Sequence, residues 1–325
     1  RYNAPMHISS GLHSAALIAV RDCMGLQPGE RALVVTDAPL RTIGYAVFEA
    51  ARGLGNEAVL VEMPPRRTNG EEPPAEVAEL MTRFDVVLCP TSKSLTHTDS
   101  RRQASATGAR IATLPGVTEE VMVRCMNADY QAIAARTFRL CDLMRTTKVI
   151  RVTAPAGTDI TMPVEGREPH ASSGLFREKG LWGNLPTGEA YLAPLEGLST
   201  GVVVVDGSMA SIGMVDEPIR IAVQDGCATE IAGGESARRL VELLEPHGRD
   251  GRTVAEFGIG TNDKAILTGV ILEDEKVMGT IHIAFGDNKS MGGSVRVASH
   301  LDGLVKRPTV WFDDRLVMED GRLLA

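Results

Sequence analysis

The sequence predicts an α/β protein: an N-terminal open parallel-sheet domain followed by an α+β, β-rich metal-site domain. Three observations lead there. Apolar runs alternate with helical stretches from Gly29 to about Cys141. Short strands with hairpin punctuation take over after Lys148. Carboxylates and histidines then gather in glycine-rich segments of the second half.

Residues 31–36, RALVVT, form an apolar run after the turn signal Pro28-Gly29 and read as a first buried strand. Residues 42–53 have helical composition, and 57–62, EAVLVE, read as the next strand. Residues 85–89, a polar loop, a helix near 101–107 and a strand over 110–114 repeat the theme. Parallel strands joined by helical crossovers imply an open sheet. A long helix over 118–144 is expected to close this domain. Residues 149–153, 159–164 and 201–206 then read as strands separated by turns, and helical pattern returns only at 235–244. The expected domains are 1–147 and 148–325.

Composition narrows the function classes. The net charge is −8 with no lysine- or arginine-rich block, so a duplex-binding stripe is not expected. Aromatic residues make up 4%, too few for single-strand stacking platforms. Five widely spaced cysteines with no C-x-x-C pair read as reduced thiols. No apolar stretch reaches the ~20 residues of a membrane span, and the first residues lack a signal-like pattern. A cytoplasmic protein is expected, without nucleic-acid or membrane partners.

The first domain has no phosphate cradle. Thr36-Asp37-Ala38-Pro39 stands where a dinucleotide fold would carry G-x-G-x-x-G, and no P-loop occurs. No G-x-S-x-G elbow supports a serine nucleophile. His97 lies in the loop after the strand ending at Cys89, the kind of place where open α/β sheets bind ligands, and is a candidate catalytic residue.

The second domain holds the candidate chemistry. Glu189 follows a Pro-Thr-Gly turn; Glu256 lies in AEFGIGTN; His282 lies within the apolar run TIHIAFG. His300 and Asp302 flank one apolar residue, which puts both side chains on one face of a strand. A lone carboxylate is usually solvated, but a histidine in so apolar a run needs a partner. Two imidazoles with several carboxylates suit zinc, manganese, cobalt or iron(II) better than calcium, with one or two ions per chain.

These segments resemble the aminopeptidase T-type leucyl aminopeptidases. The likeness runs through Leu185-Pro-Thr-Gly-Glu189, Glu256-Phe-Gly-Ile-Gly-Thr-Asn262, Asp274-Glu275-Lys276 with His282-Ile-Ala-Phe-Gly286, and Gly292-Gly293 through His300-Leu-Asp302. It implies a dimeric two-domain metallopeptidase with Glu189, Glu256, His282, His300 and Asp302 as metal ligands and Glu275 as a further glutamate of the site. The chain is also similar to the 2,5-dihydroxypyridine 5,6-dioxygenases, which hold iron(II) with two histidines and an aspartate. His300-Leu301-Asp302 and the Thr96-His97-Thr98 loop match them, with Glu256 standing where they carry their other histidine. The expected function is a metal-dependent hydrolase, an aminopeptidase or amidase acting on a small amide or peptide. Glu189 or Glu275 would accept a proton from a metal-polarised water. A ring-cleaving iron(II) dioxygenase is the alternative, and a non-catalytic dimeric binding protein a third reading.

Overall fold

The structure, a computed structural model, describes residues 8–325. By its contacts the chain divides into two compact units. The first comprises the chain up to Gln131 together with Gly174–Thr187; the second comprises Ala132–Ser173 and Gly188–Ala325. This differs from the single boundary expected near residue 147. Two features cause this. The helix Tyr130–Thr146, expected to close the first domain, packs Leu140 and Met144 into the second unit's core. A short strand, Trp182–Asn184, pairs in parallel with Arg110–Thr113 and so belongs to the first unit's sheet. Periodicity along the chain does not reveal such a return.

The first unit is an open, all-parallel sheet in the order Glu57–Met63, Arg31–Asp37, Val86–Cys89, Arg110–Thr113, Trp182–Asn184. The inner strands are buried on both faces, and their centres, ALVV, VVLC and IA, are therefore continuous apolar runs rather than alternating ones. The helices Arg41–Gly53, Ala75–Met81 and Asp99–Ala106 connect successive strands. Thr98 and Thr118 cap their helices through side-chain oxygens that accept the N–H groups of Arg101 and Val121.

The long helix expected over 118–144 is two helices, Glu119–Met126 and Tyr130–Thr146. Asn127 leaves the helical region at ψ 52°, and its amide donates to the Val123 carbonyl at 2.7 Å. A short side chain that satisfies an open carbonyl is a local alternative to continuing the helix.

The second unit contains two antiparallel sheets. One has eight strands with Thr200–Val205, Asp159–Pro163, Val149–Thr153 and Thr309–Phe312 at its centre. The other has seven, in which His170–Ser172, Glu189–Leu192, Val254–Gly260, Thr280–Gly286 and His300–Lys306 lie side by side. A single apolar cluster takes Ile150, Val152, Ile160 and Val203 from the first sheet and Phe257, Ile259, Ile281 and Phe285 from the second. The helix Glu235–Leu244 adds Leu240 and Leu244. The expected mixed α/β architecture, a parallel sheet followed by a β-rich part, is the one observed. Among the described residues no helix is long and apolar enough to cross a membrane.

Candidate metal centre

The seven-stranded sheet sorts its residues strictly by face. Strand side chains alternate, and pairs in register point the same way. Phe257, Ile259, Ile281, Ile283, Phe285 and Leu301 therefore point into the core. Their neighbours Glu256, His282, His300 and Asp302, with Glu189 from the strand alongside, share the opposite face. The apolar–polar alternation that makes these segments strands thus also collects their donors.

Space for the donors comes from small residues on that same face. Gly258 stands opposite both Tyr191 and His282, and Ala284 stands between Glu256 and Asp302. A Cβ on Gly258 would lie 2.0 Å from His282 Nε2, so the ring occupies the volume that any other residue would fill. Gly286, at φ 122°, lets the backbone pass Ser299, whose carbonyl would be 2.1 Å from an added Cβ.

The sites expected from the sequence fall into two groups that share Glu256. Glu189, Glu256 and His282 form one, and Glu256, His300 and Asp302 the other, each with ligand atoms within 4.8 Å of one another. His282 Nε2 is 3.1 Å from Glu256 Oε1 and 3.6 Å from Glu189 Oε2. His300 Nε2 is 3.1 Å from Glu256 Oε2 and 3.5 Å from Asp302 Oδ1. His300 Nδ1 donates to the Asp287 carbonyl at 2.7 Å, which fixes the ring and leaves Nε2 for the donor face. The first group is buried, whereas the His300 side chain is 31% exposed.

Four carboxylates meet here with one fixed cation, Lys276. Its Nζ binds Glu189 Oε1 at 2.5 Å and also Glu275. Burial works against the Lys276 charge, but Glu189 and Glu275 outweigh it and hold the ammonium firmly protonated. Burial lifts Glu275 to about 8, with Glu189 and Asp302 adding to the effect and Lys276 opposing it. Burial likewise opposes charge on His282, yet the bond and charge of Glu256, with Glu189 and Asp302, raise it to about 9. His300 is driven the same way by Asp302 and Glu256 against its burial. The carboxylates favour protonation of both imidazoles because Lys276 alone does not balance them. Glu189 Oε2 and His282 Nδ1 are buried without hydrogen-bond partners. The unpaired Glu189 oxygen, surplus negative charge and mixed N/O donors fit a divalent first-row cation.

Glu275 joins the cluster only through Lys276 and lies within neither donor group. His97 belongs to the first unit, with its ring edge-on to Trp182 at 6.3 Å. Two residues escaped the sequence reading. Lys276 lay beside a quoted glutamate, but nothing in the chain reports that its ammonium is 3% exposed and doubly paired. Tyr191, two positions after Glu189 and so on the same strand face, stacks on His170 at 5.2 Å. Strand alternation alone could have found it.

Comparison with known proteins bears on the chemistry. The family model described as 2,5-dihydroxypyridine 5,6-dioxygenase matches residues 15–325. The 2,5-dihydroxypyridine 5,6-dioxygenase of Pseudomonas putida is 25% identical over 253 residues, covering 71% of this chain and 69% of that protein. The solved 2,5-dihydroxypyridine dioxygenase of Pseudomonas putida KT2440 superposes with a TM-score of 0.84 at 20% identity, covering 98% of this chain and 99% of that one. AmpT from Thermus thermophilus superposes with a TM-score of 0.70 at 17% identity, covering 97% and 99%.

Both resemblances read from the sequence thus recur, though these structural likenesses speak for the fold alone. The expected hydrolase, with its aminopeptidase and metalloprotease reading, is overturned, because the family model and the curated relative are both dioxygenases. The physical reason for the error is that histidine–carboxylate donors accept several metals and serve either chemistry. The divalent metal itself, with iron(II) among the expected ions, is upheld by the family and by the donor groups.

Proposed function

Because this chain belongs to the 2,5-dihydroxypyridine 5,6-dioxygenase family, we propose that it is an iron(II)-dependent dioxygenase that opens a hydroxylated, pyridine-like ring. The observation that carries this beyond family membership is the Glu256–His300–Asp302 group. Its imidazole is oriented by a backbone carbonyl and it remains partly open to solvent. These three residues would hold the ion, and Glu189 with His282 would line its buried side. Iron(II) held there would supply the one-electron chemistry that lets dioxygen react with a closed-shell ring.

The chain's own groups have separate tasks. The Asp287 carbonyl keeps Nδ1 of His300 protonated and its Nε2 aimed at the site. Lys276 balances Glu189 and Glu275, which stops two buried carboxylates from repelling an anionic substrate. Glu275, whose carboxyl pKa is raised by burial and which pairs with Lys276, can accept a proton from a ring hydroxyl and return it. His97 is proposed as a further acid–base residue. Overall, both atoms of one dioxygen enter the ring and one ring bond breaks, with no external reductant.

The test is oxygen uptake by protein loaded anaerobically with iron(II), with 2,5-dihydroxypyridine added. Uptake should equal ring loss one for one and should vanish in His300→Ala with circular dichroism unchanged. Loaded protein that takes up no oxygen with any hydroxypyridine would overturn the proposal.

A further inference from the structure

The first unit carries a second polar cluster, beside His97; the cluster's own residues have no part in the proposed reaction. It lies where the loop after Val86–Cys89 meets the carboxyl ends of Arg110–Thr113 and Trp182–Asn184, the end of an open parallel sheet at which ligands bind. Arg101 is only 5% exposed. Its Nε donates to the Thr96 carbonyl at 2.8 Å, and its Cζ lies 3.7 Å from the centre of the Trp182 ring. Thr96 also organises the rest: its hydroxyl meets Thr113 Oγ1 at 2.8 Å and Asn184 Oδ1 at 3.1 Å. Thr113 Oγ1 donates to Asn184 Oδ1 at 2.7 Å, and with one proton per hydroxyl the Thr96 proton goes either to Thr113 or to Asn184. The Asn184 oxygen thus accepts, which leaves its NH2 to donate.

What is missing is an anion. Arg101 makes no ion pair with any described residue; of its neighbours in the helix, Asp99 is taken by Arg102 at 2.6 Å. A guanidinium has five N–H donors, and one is used. Burial, helped by the Arg102 charge, lowers Arg101 to about 10, as expected for a cation with nothing opposite it. A buried charge left without a partner is costly, and stacking on one tryptophan face offsets only part of that cost.

We propose that Arg101, Trp182 and Asn184 form a binding site for the carboxylate of a small organic acid. The unspent Nη edge of Arg101 matches a carboxylate in two parallel bonds, and the stacked Trp182 ring holds that fork in plane. Asn184, held by the same Thr96, is the second donor. A single cation selects a monoanion; a phosphate dianion would be left with surplus charge at a mostly buried position.

The protein contains two tryptophans, so Trp311→Phe leaves Trp182 as the sole indole reporter. That variant is titrated with acetate and with benzoate at constant ionic strength. The expected result is a saturable change in Trp182 fluorescence with a Kd on the order of 1 mM or tighter. Arg101→Lys, which keeps the charge and loses the fork, should weaken binding about tenfold, and Arg101→Met should abolish it. If Arg101→Met does not fold, the lysine variant decides. No saturable change, an unchanged affinity in Arg101→Lys, or an equal response to chloride would each overturn the proposal. None of these outcomes depends on iron or on oxygen uptake, so this site and the dioxygenase reading fail separately.

Discussion

Within the donor face the most constrained position carries no side chain at all. Gly258 leaves His282 the volume in which its imidazole sits, with an added Cβ 2.0 Å from Nε2. Gly258→Ala should displace the ring, lower metal affinity at least about tenfold as lost donor geometry does, and leave secondary structure intact. Metal content after dialysis at fixed ion concentration, alongside circular dichroism, checks this; full metal content would show that the His282 ring does not shape the ion site. At this scale the sequence is legible for donors and silent on charge balance. His300 and Asp302 were readable because strand alternation places i and i+2 together. Glu189 and Glu256 join them through cross-strand register, which one chain does not print. Lys276, paired with two carboxylates, could not be read because burial of an ammonium depends on strands far away in sequence.

Among elements, the segment 287–297 decides how His300 is presented. Glu196 ties it down: its Oε1 accepts from Asn288 Nδ2 at 2.9 Å and from the Ser294 N–H at 2.7 Å, while Oε2 pairs with Arg167. Asn288 in turn accepts the Val295 N–H at 2.9 Å, and Gly293 lies where a Cβ would be 2.1 Å from the Asn288 amide carbon. Burial opposes the Glu196 charge, but the N–H groups of Ser294 and of Glu196 itself, the Asn288 amide and Arg167 outweigh it and hold its carboxyl at about 2. A carboxyl depressed on folding stabilises above its unfolded pKa and loses that contribution as pH falls through the folded one. Glu196 should therefore stabilise the second unit fully above about pH 5 and progressively less down to about pH 2. With the side chain 23% exposed, the contribution should be about 1–2 kcal/mol rather than the full shift. Urea midpoints of wild type and Glu196→Gln from pH 6 to 3 measure it; parallel curves would show that the clamp carries no such load. The sequence marked Gly292-Gly293 as a motif but gave no hint of Glu196, which lies in another loop about a hundred residues earlier.

For the molecule as a whole, the fold and the reaction are separate conclusions. The parallel strands and β-rich second half were readable from periodicity, whereas the return of Trp182–Asn184 to the first sheet was not. One fold accommodates both a dioxygenase and AmpT, so architecture could not choose between oxygenation and hydrolysis; family membership does. What the molecule must show under either chemistry is that metal stabilises the unit that holds it. All of Glu189, Glu256, His282, His300 and Asp302 belong to the second unit. An ion at about 100 times its Kd adds about 2.7 kcal/mol to whatever binds it only when folded. For a unit of 150–250 residues, each kcal/mol moves Tm by about 2–4 °C, so iron(II) or zinc should raise the second unit's transition by roughly 5–10 °C. Trp311 lies in that unit and Trp182 in the other, so fluorescence melts of Trp182→Phe and Trp311→Phe report the two separately. The Trp311 transition should climb with metal, fall with chelator, and stay at its metal-free value in His300→Ala. A Trp311 transition indifferent to both metal and chelator would mean that these donors hold no ion, and the dioxygenase reading would fall with them.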